Sequence, residues 1–231
     1  MAALDALRSE VLAANLALPE HGLVTLTWGN ASGIDRESKL VAIKASGVSY
    51  ERMTAADIVV VDLEGSVVEG ERRPSTDTPT HLALYRAFER VGGIVHTHSP
   101  WATAWAQAQR EIPLLGTTHA DLSAHPIPLT RQLTADEVDT GYEEATGTVV
   151  VEAVGERDPL EVPCVLVRGH APFSWGSTPA QAVEHAVTLE QVARMALLTT
   201  LLDPAAAPLD DAVRAKHFER KHGPRAYYGQ R

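Results

Sequence analysis

Gly93-Ile94-Val95-His96-Thr97-His98-Ser99-Pro100 decides how the chain is read. The first part is short and rich in β-branched residues, which favours a strand, and Pro100 then begins a helix-compatible run through Ala108. Upstream, Pro79 suits the first turn of a helix capped by Asp77 or Thr78, with Leu82, Tyr85 and Phe88 on one face and an end near Gly92-Gly93. A helix thus feeds a strand that feeds another helix. Further out, Leu40 to Lys44 and Ile58 to Leu63 read as strands, separated by a helical turn opened by Thr54 with Asp57. Leu4, Leu7, Val11, Leu12 and Leu16 recur at helical spacing before Pro19 and Gly22. Downstream, Thr134 to Glu137 forms a capping box, Thr148 to Val154 and Val162 to Val167 read as strands, and Thr178-Pro179 opens a long helix to about Leu202. Pro204 and Pro208 mark a loop before a basic, tyrosine-bearing C-terminal segment. No internal repeat is visible. The alternation predicts one layered α/β domain over residues 1–231, with strand order left open.

At 231 residues and 45% hydrophobic side chains, such a domain can bury a substantial core. No apolar stretch reaches the ~20 residues of a membrane span, and Met1 to Glu10 lacks a basic-then-apolar signal, so the chain is expected in the cytoplasm, away from membranes. The single cysteine, Cys164, lies in an apolar run and reads as a buried thiol that forms no intrachain disulfide. A net charge of −10 argues against general nucleic-acid binding and requires any anionic ligand to be held by a local cluster.

Side chains two apart on a strand share a face, so His96 and His98 can offer two imidazoles to one metal while Thr97 points away. A third, His170, follows a predicted strand in Arg168-Gly169-His170-Ala171-Pro172. Three histidines leave a coordination position open, as in catalytic zinc sites, whereas a closed structural site would normally need more thiolates than one cysteine supplies. Asp77 reads either as an ordinary N-cap or, near a metal, as a ligand or proton carrier. Asp121, in Gly116-Thr117-Thr118-His119-Ala120-Asp121, reads equally as a turn residue or an acid/base group. Lys44-Ala45-Ser46-Gly47 after a strand and Ser75-Thr76 before a helix could hold a phosphate. Neither a Walker A sequence nor a dinucleotide fingerprint occurs, so the phosphate is expected on the substrate.

Taken in order, Leu26-Thr27-Trp28-Gly29-Asn30, Lys44-Ala45-Ser46-Gly47, Pro74 to Pro79, His96-Thr97-His98, His170 and Tyr227-Tyr228-Gly229-Gln230 resemble the L-ribulose-5-phosphate 4-epimerase family of the class II aldolase superfamily. The resemblance runs over essentially the whole chain. It implies a central, largely antiparallel β-sheet flanked by helices, and a homotetramer in which residues 204–231 reach a neighbouring subunit's active site. It assigns one Zn²⁺ per subunit to His96, His98 and His170 with Asp77 beside it, though Mn²⁺, Co²⁺ or Ni²⁺ would suit the same donors. Asn30, Lys44, Ser46, Gly47, Ser75 and Thr76 become substrate or phosphate ligands, Asp121 and Tyr228 the proton-transfer pair, and His217 a further active-site residue. The implied reaction breaks the bond between the third and fourth carbons of L-ribulose 5-phosphate, turns the retained glycolaldehyde phosphate over, and re-forms the bond to give D-xylulose 5-phosphate. Asp at 77, where related aldolases use Glu, speaks for the epimerase. Thr76, Ala45 and the Arg168-Gly169 setting depart from the family pattern and bear on phosphate geometry.

Rival readings are a 4-epimerase of L-xylulose 5-phosphate or another pentulose phosphate, a net aldolase, and a non-catalytic sugar-phosphate binder. Trp28 is expected to pack beside the binding loop, and His21, His81, His119, His125, His185 and His222 to be structural or solvent-facing.

Overall fold

Within Ile58-Val59-Val60-Val61, alternate side chains enter two different cores, Val59 and Val61 one and Ile58 and Val60 the other. A strand does this when helices cover both faces of its sheet. The computed structural model describes residues 2–222 and 226–228. Its elements run α1 (Ala2–Glu20), β1 (Asn30–Asp35), β2 (Leu40–Lys44), β3 (Ile58–Asp62), β4 (Val67–Glu69), α2 (Thr78–Ala87), β5 (Gly93–His96), α3 (Pro100–Gln107), α4 (Thr117–Leu122), α5 (Ala135–Val154), β6 (Cys164–Leu166), β7 (Pro172–Gly176), α6 (Pro179–Leu202) and α7 (Asp211–His222). The seven strands form one sheet in the order β4-β3-β2-β1-β5-β7-β6, every pairing antiparallel.

One core, with Leu82, Leu84 and Tyr85 of α2 and Val150 and Val154 of α5, fills one face of the sheet. The other joins Leu7, Val11 and Leu18 of α1 to Ala182, Val183 and Ala186 of α6. A third cluster places α3 and the C-terminal half of α6 against β6, with Cys164 fully buried in it as a free thiol. Burial also raises that thiol's pKa, which keeps it protonated and inert.

Several expectations are corrected. Thr148 to Val154 is the last part of α5, so its β-branched run lies in a helix that begins at the Thr134 capping box. Val149, Val150 and Val154 are buried there, and packing outweighs the weak strand preference. β5 ends at His96, leaving His98 beyond the strand. Asp121 lies in a helix, α4, instead of a turn, and the C-terminal segment contains α7. Gly229 and Gln230 of the tail motif lie outside the described residues.

Candidate active site

The register of the sheet assembles the site. Asn30 at the start of β1 lies opposite His96 at the end of β5, and His96 lies opposite Phe173 at the start of β7. Lys44 closes the neighbouring β2 at the same end of the sheet. Beyond it, Ala45 bridges Pro74, Ser75 N–H donates to the Lys44 carbonyl at 3.0 Å, and Ser46 N–H donates to that of Arg73 at 3.0 Å. These bonds pin Ser75, Thr76 and Asp77 over the end of β2. His170 arrives on the turn between β6 and β7, where Val167 N–H donates to the Ala171 carbonyl at 3.0 Å and Gly169 takes φ +71°.

Thr27, Trp28, Gly29, Asn30, Lys44, Ser46, Gly47, Ser75, Thr76, Asp77, His96, His98 and His170 thereby line one open cavity of about 550 Å³. In it the three imidazoles present nitrogens all within 4.8 Å of one another, the single such group among the described residues. His96 Nδ1 lies 3.0 Å from the Pro172 carbonyl, so that nitrogen carries the proton and Nε2 offers its lone pair. His98 Nε2 and His170 Nε2 stand 3.2 Å apart. Two nitrogens about 2.05 Å from one tetrahedral zinc would be about 3.3 Å apart, so this pair is spaced for a divalent cation, with a nitrogen of His96 within 4.8 Å of both. Burial lowers the pKa of His96, burial and then His96 lower that of His98, and burial with His96 and His98 brings His170 to about 4. All three are neutral near pH 7, as metal ligation requires.

Asp77 stands outside that group of three. Its Oδ2 accepts from Asn30 Nδ2 at 2.6 Å and faces Ser75 Oγ at 3.5 Å, and it makes no side-chain cap bond to α2. Burial acts to raise its pKa, but His96, His81, the Asn30 bond and His170 outweigh burial and hold it below the ordinary carboxylate value. Lys44 is buried, with Nζ 3.5 Å from the Thr27 carbonyl, 3.4 Å from that of Ala45 and 5.1 Å from the Tyr50 ring centre. Burial lowers its pKa against the opposing pull of Asp57 and Asp77. Ser46, Gly47 and Thr76 are exposed at the mouth, and Gly47 adopts φ +69° in open space. A cationic nitrogen beneath hydroxyls and a glycine turn suits a phosphate.

Asp121, His217 and Tyr228 are absent from this lining and form a second cluster. Arg220 donates to both Asp121 carboxylate oxygens, at 3.0 and 2.5 Å, while His217 Nδ1 lies 3.1 Å from Oδ1. Tyr228 lies against the Arg220 guanidinium at 4.9 Å from its ring centre. Burial pushes the Asp121 carboxyl up, but the Arg220 and His217 bonds prevail and keep it low. Arg220 carries no motif and was not among the expected site residues. Trp28, expected to pack beside the binding loop, is 54% exposed on the cavity wall, 6.4 Å from the His98 ring. Its place beside Gly29-Asn30 was the available signal.

A sheet sandwiched between helices, with three imidazoles and a buried lysine gathered at one end, is the arrangement of a class II aldolase type of protein. The chain belongs to the family described as Class II Aldolase and Adducin N-terminal domain, which it matches over residues 9–197. It is 56% identical over 225 residues, 97% of this chain and 99% of the relative, to L-ribulose-5-phosphate 4-epimerase UlaF of Salmonella paratyphi B. The same enzyme of Salmonella typhi is 55% identical over the same shares of both chains. Among solved structures, an L-fuculose 1-phosphate aldolase superposes with a TM-score of 0.81 at 26% identity, covering 93% of this chain and 95% of that one. The L-fuculose-1-phosphate aldolase of Thermus thermophilus gives 0.68 at 27% identity over 86% and 97%. The resemblance drawn from the motifs and the antiparallel, helix-flanked sheet are both borne out.

Proposed function

We propose that the protein is a divalent-metal-dependent epimerase that inverts the fourth carbon of L-ribulose 5-phosphate to give D-xylulose 5-phosphate. The carrying observation is that one cavity holds both the three-imidazole group and the Lys44 ammonium with the Ser46, Ser75 and Thr76 hydroxyls, a set suited to a phosphate. The whole-length identity to curated L-ribulose-5-phosphate 4-epimerases supports the choice of substrate. His96, His98 and His170 hold the cation with Asp77 beside them, and Zn²⁺ suits three nitrogen donors. When bound, it supplies Lewis-acid polarisation of the ketose oxygens. Lys44, Ser46, Gly47, Ser75 and Thr76 bind the phosphate, and Asn30 the sugar oxygens.

The phosphate sits on the aldehyde fragment, so the cradle retains glycolaldehyde phosphate after the bond between the third and fourth carbons breaks. Retention lets the aldehyde turn over and be attacked on its other face. Inversion needs the hydroxyl proton taken from one face and returned from the other, the roles given to Asp121 and Tyr228, with His217 beside Asp121. These groups cluster on their own chain outside its cavity, which favours their donation together to a neighbour's cavity in a homotetramer. The substrate is a charged ester that does not cross bilayers unaided, so this reading places the protein in the cytoplasm; no helix among the described residues is long and apolar enough to span a membrane.

Zinc-loaded protein incubated with L-ribulose 5-phosphate should form D-xylulose 5-phosphate without free glycolaldehyde phosphate. Release of that aldehyde would identify an aldolase instead, and conversion of another pentulose phosphate alone would reassign the substrate.

A further inference from the structure

We infer that Tyr142 is a positioning residue for the metal site: its hydroxyl receives the outer ring N–H of His170 and so aims that histidine's inner nitrogen at the cation. This rests on the reading of the three histidines as metal ligands. An imidazole that gives one nitrogen to a metal must place the N–H of the other, and the group that receives it sets the tautomer and the ring angle. For His96 that group is the backbone carbonyl of Pro172, at 3.0 Å. For His170, whose Nε2 faces His98 Nε2 at 3.2 Å, it is the Tyr142 hydroxyl, 3.4 Å from Nδ1. Among the described residues these are the two polar contacts of that ring.

The need for such a partner follows from where His170 sits. His96 is held within a strand in mid-sheet, whereas His170 rides on the turn between β6 and β7 and is half-buried. Its ring is therefore oriented by what touches it. The backbone that carries the exposed Tyr142 ring is held in place. The helical path of α5 breaks at Gly141 and resumes at Tyr142, which redirects the chain just before the tyrosine. The buried Thr80 of α2 donates its hydroxyl to the Glu143 carbonyl at 2.6 Å, and Thr146 donates to the Tyr142 carbonyl at 2.7 Å. Asp77 is the N-cap residue of that same helix α2, so the backbones of the tyrosine and the carboxylate are tied to one element.

The test is Tyr142→Phe, which keeps the ring and removes the acceptor, compared with wild type and His170→Ala by chelator competition for Zn²⁺ and by the visible spectrum of the Co²⁺-loaded protein. Loss of an outer hydrogen-bond partner of a ligating histidine should weaken metal binding by about 10–100-fold. It should also shift the Co²⁺ bands while leaving the melting temperature of the metal-free protein unchanged. Wild-type affinity and spectrum in Tyr142→Phe would overturn the role of Tyr142. Wild-type affinity in His170→Ala would overturn the metal-site reading itself. A second measurement needs no variant: nitrogen-15 spectra of the zinc-loaded wild type should show the His170 proton on Nδ1, and a proton on Nε2 would overturn the inference.

Discussion

At the residue scale, Asp77 shows how a local rule and a site compete for one side chain. It occupies the N-cap position of α2, yet its carboxylate is turned to Asn30 and the cavity and makes no cap bond to the helix. Asp77→Asn therefore removes no cap bond, whose loss would cost about 1 kcal/mol, and any fall in melting temperature should come from the lost charge beside Asn30 and His81 and shrink as the pH is lowered toward the carboxylate range. Turnover should fall at least about 100-fold, in keeping with a proton-transfer or ligand role; a variant with full turnover and a lowered melting temperature would reverse the assignment. Lys44 makes a different prediction. A charged hydrogen bond contributes roughly 1.5–3 kcal/mol, so Lys44→Met should raise KM for the phosphorylated substrate by about 10–100-fold. An unchanged KM would move the phosphate elsewhere. Both residues were legible in sequence because a strand end and a helix start are local features. Arg220 was not, since its partner Asp121 is brought to it only by the packing of α4 against α7.

At the element scale, α6 and the sheet approach each other closely at Gly93. A Cβ there would lie 2.4 Å from Pro179 N and Cα, a backbone that cannot yield without moving the start of α6. Gly93→Ala should cost at least about 1–3 kcal/mol, the usual penalty of overpacking. In a chain of this size that lowers the melting temperature by roughly 2–4 °C per kcal/mol, readable by calorimetry. A variant as stable as wild type would mean that the helix can retreat freely. The same scale explains the misread segment 148–154. A window of β-branched residues says strand, but Thr146, Val149, Val150 and Val154 form the buried face of a helix packed on α2, a fact held by the partner and not by the window.

For the whole molecule, burial of histidines ties stability to pH. Burial takes His81 to about 3 and His119 to about 4, well below the ordinary 6.5. The unfolded chain thus takes up protons that the folded chain refuses between about pH 6.5 and pH 4, and stability falls as pH drops through that window. Each refused proton is worth about 1.4 kcal/mol per pH unit. Metal-free protein should melt at a constant temperature above pH 6.5 and progressively lower down to pH 4.5; a flat profile would show that these rings are accessible to protons. Assembly gives a second prediction at this scale. Asp121→Asn and His98→Asn subunits, each inactive alone, should recover part of the activity when co-expressed, because some mixed sites then contain an intact cavity and an intact Asp121. No recovery would place both groups in one subunit's site.

By itself the sequence determined the order of most elements, the histidine pair and the Lys44 and Ser75 segments that line the cavity, and the family. These depend on local patterning, on capping and turn chemistry within a few residues, and on motif order along the chain. The tertiary structure alone decided that the start of β1 and the ends of β2 and β5 lie at one end of the sheet, so that Asn30, Lys44 and His96 meet, because strand register is a pairing between segments far apart in sequence. It alone separated the Asp121–Arg220–Tyr228 cluster from the cavity and set Tyr142 beside His170. Contacts across 28 or 99 residues are made by packing, and no local window encodes them.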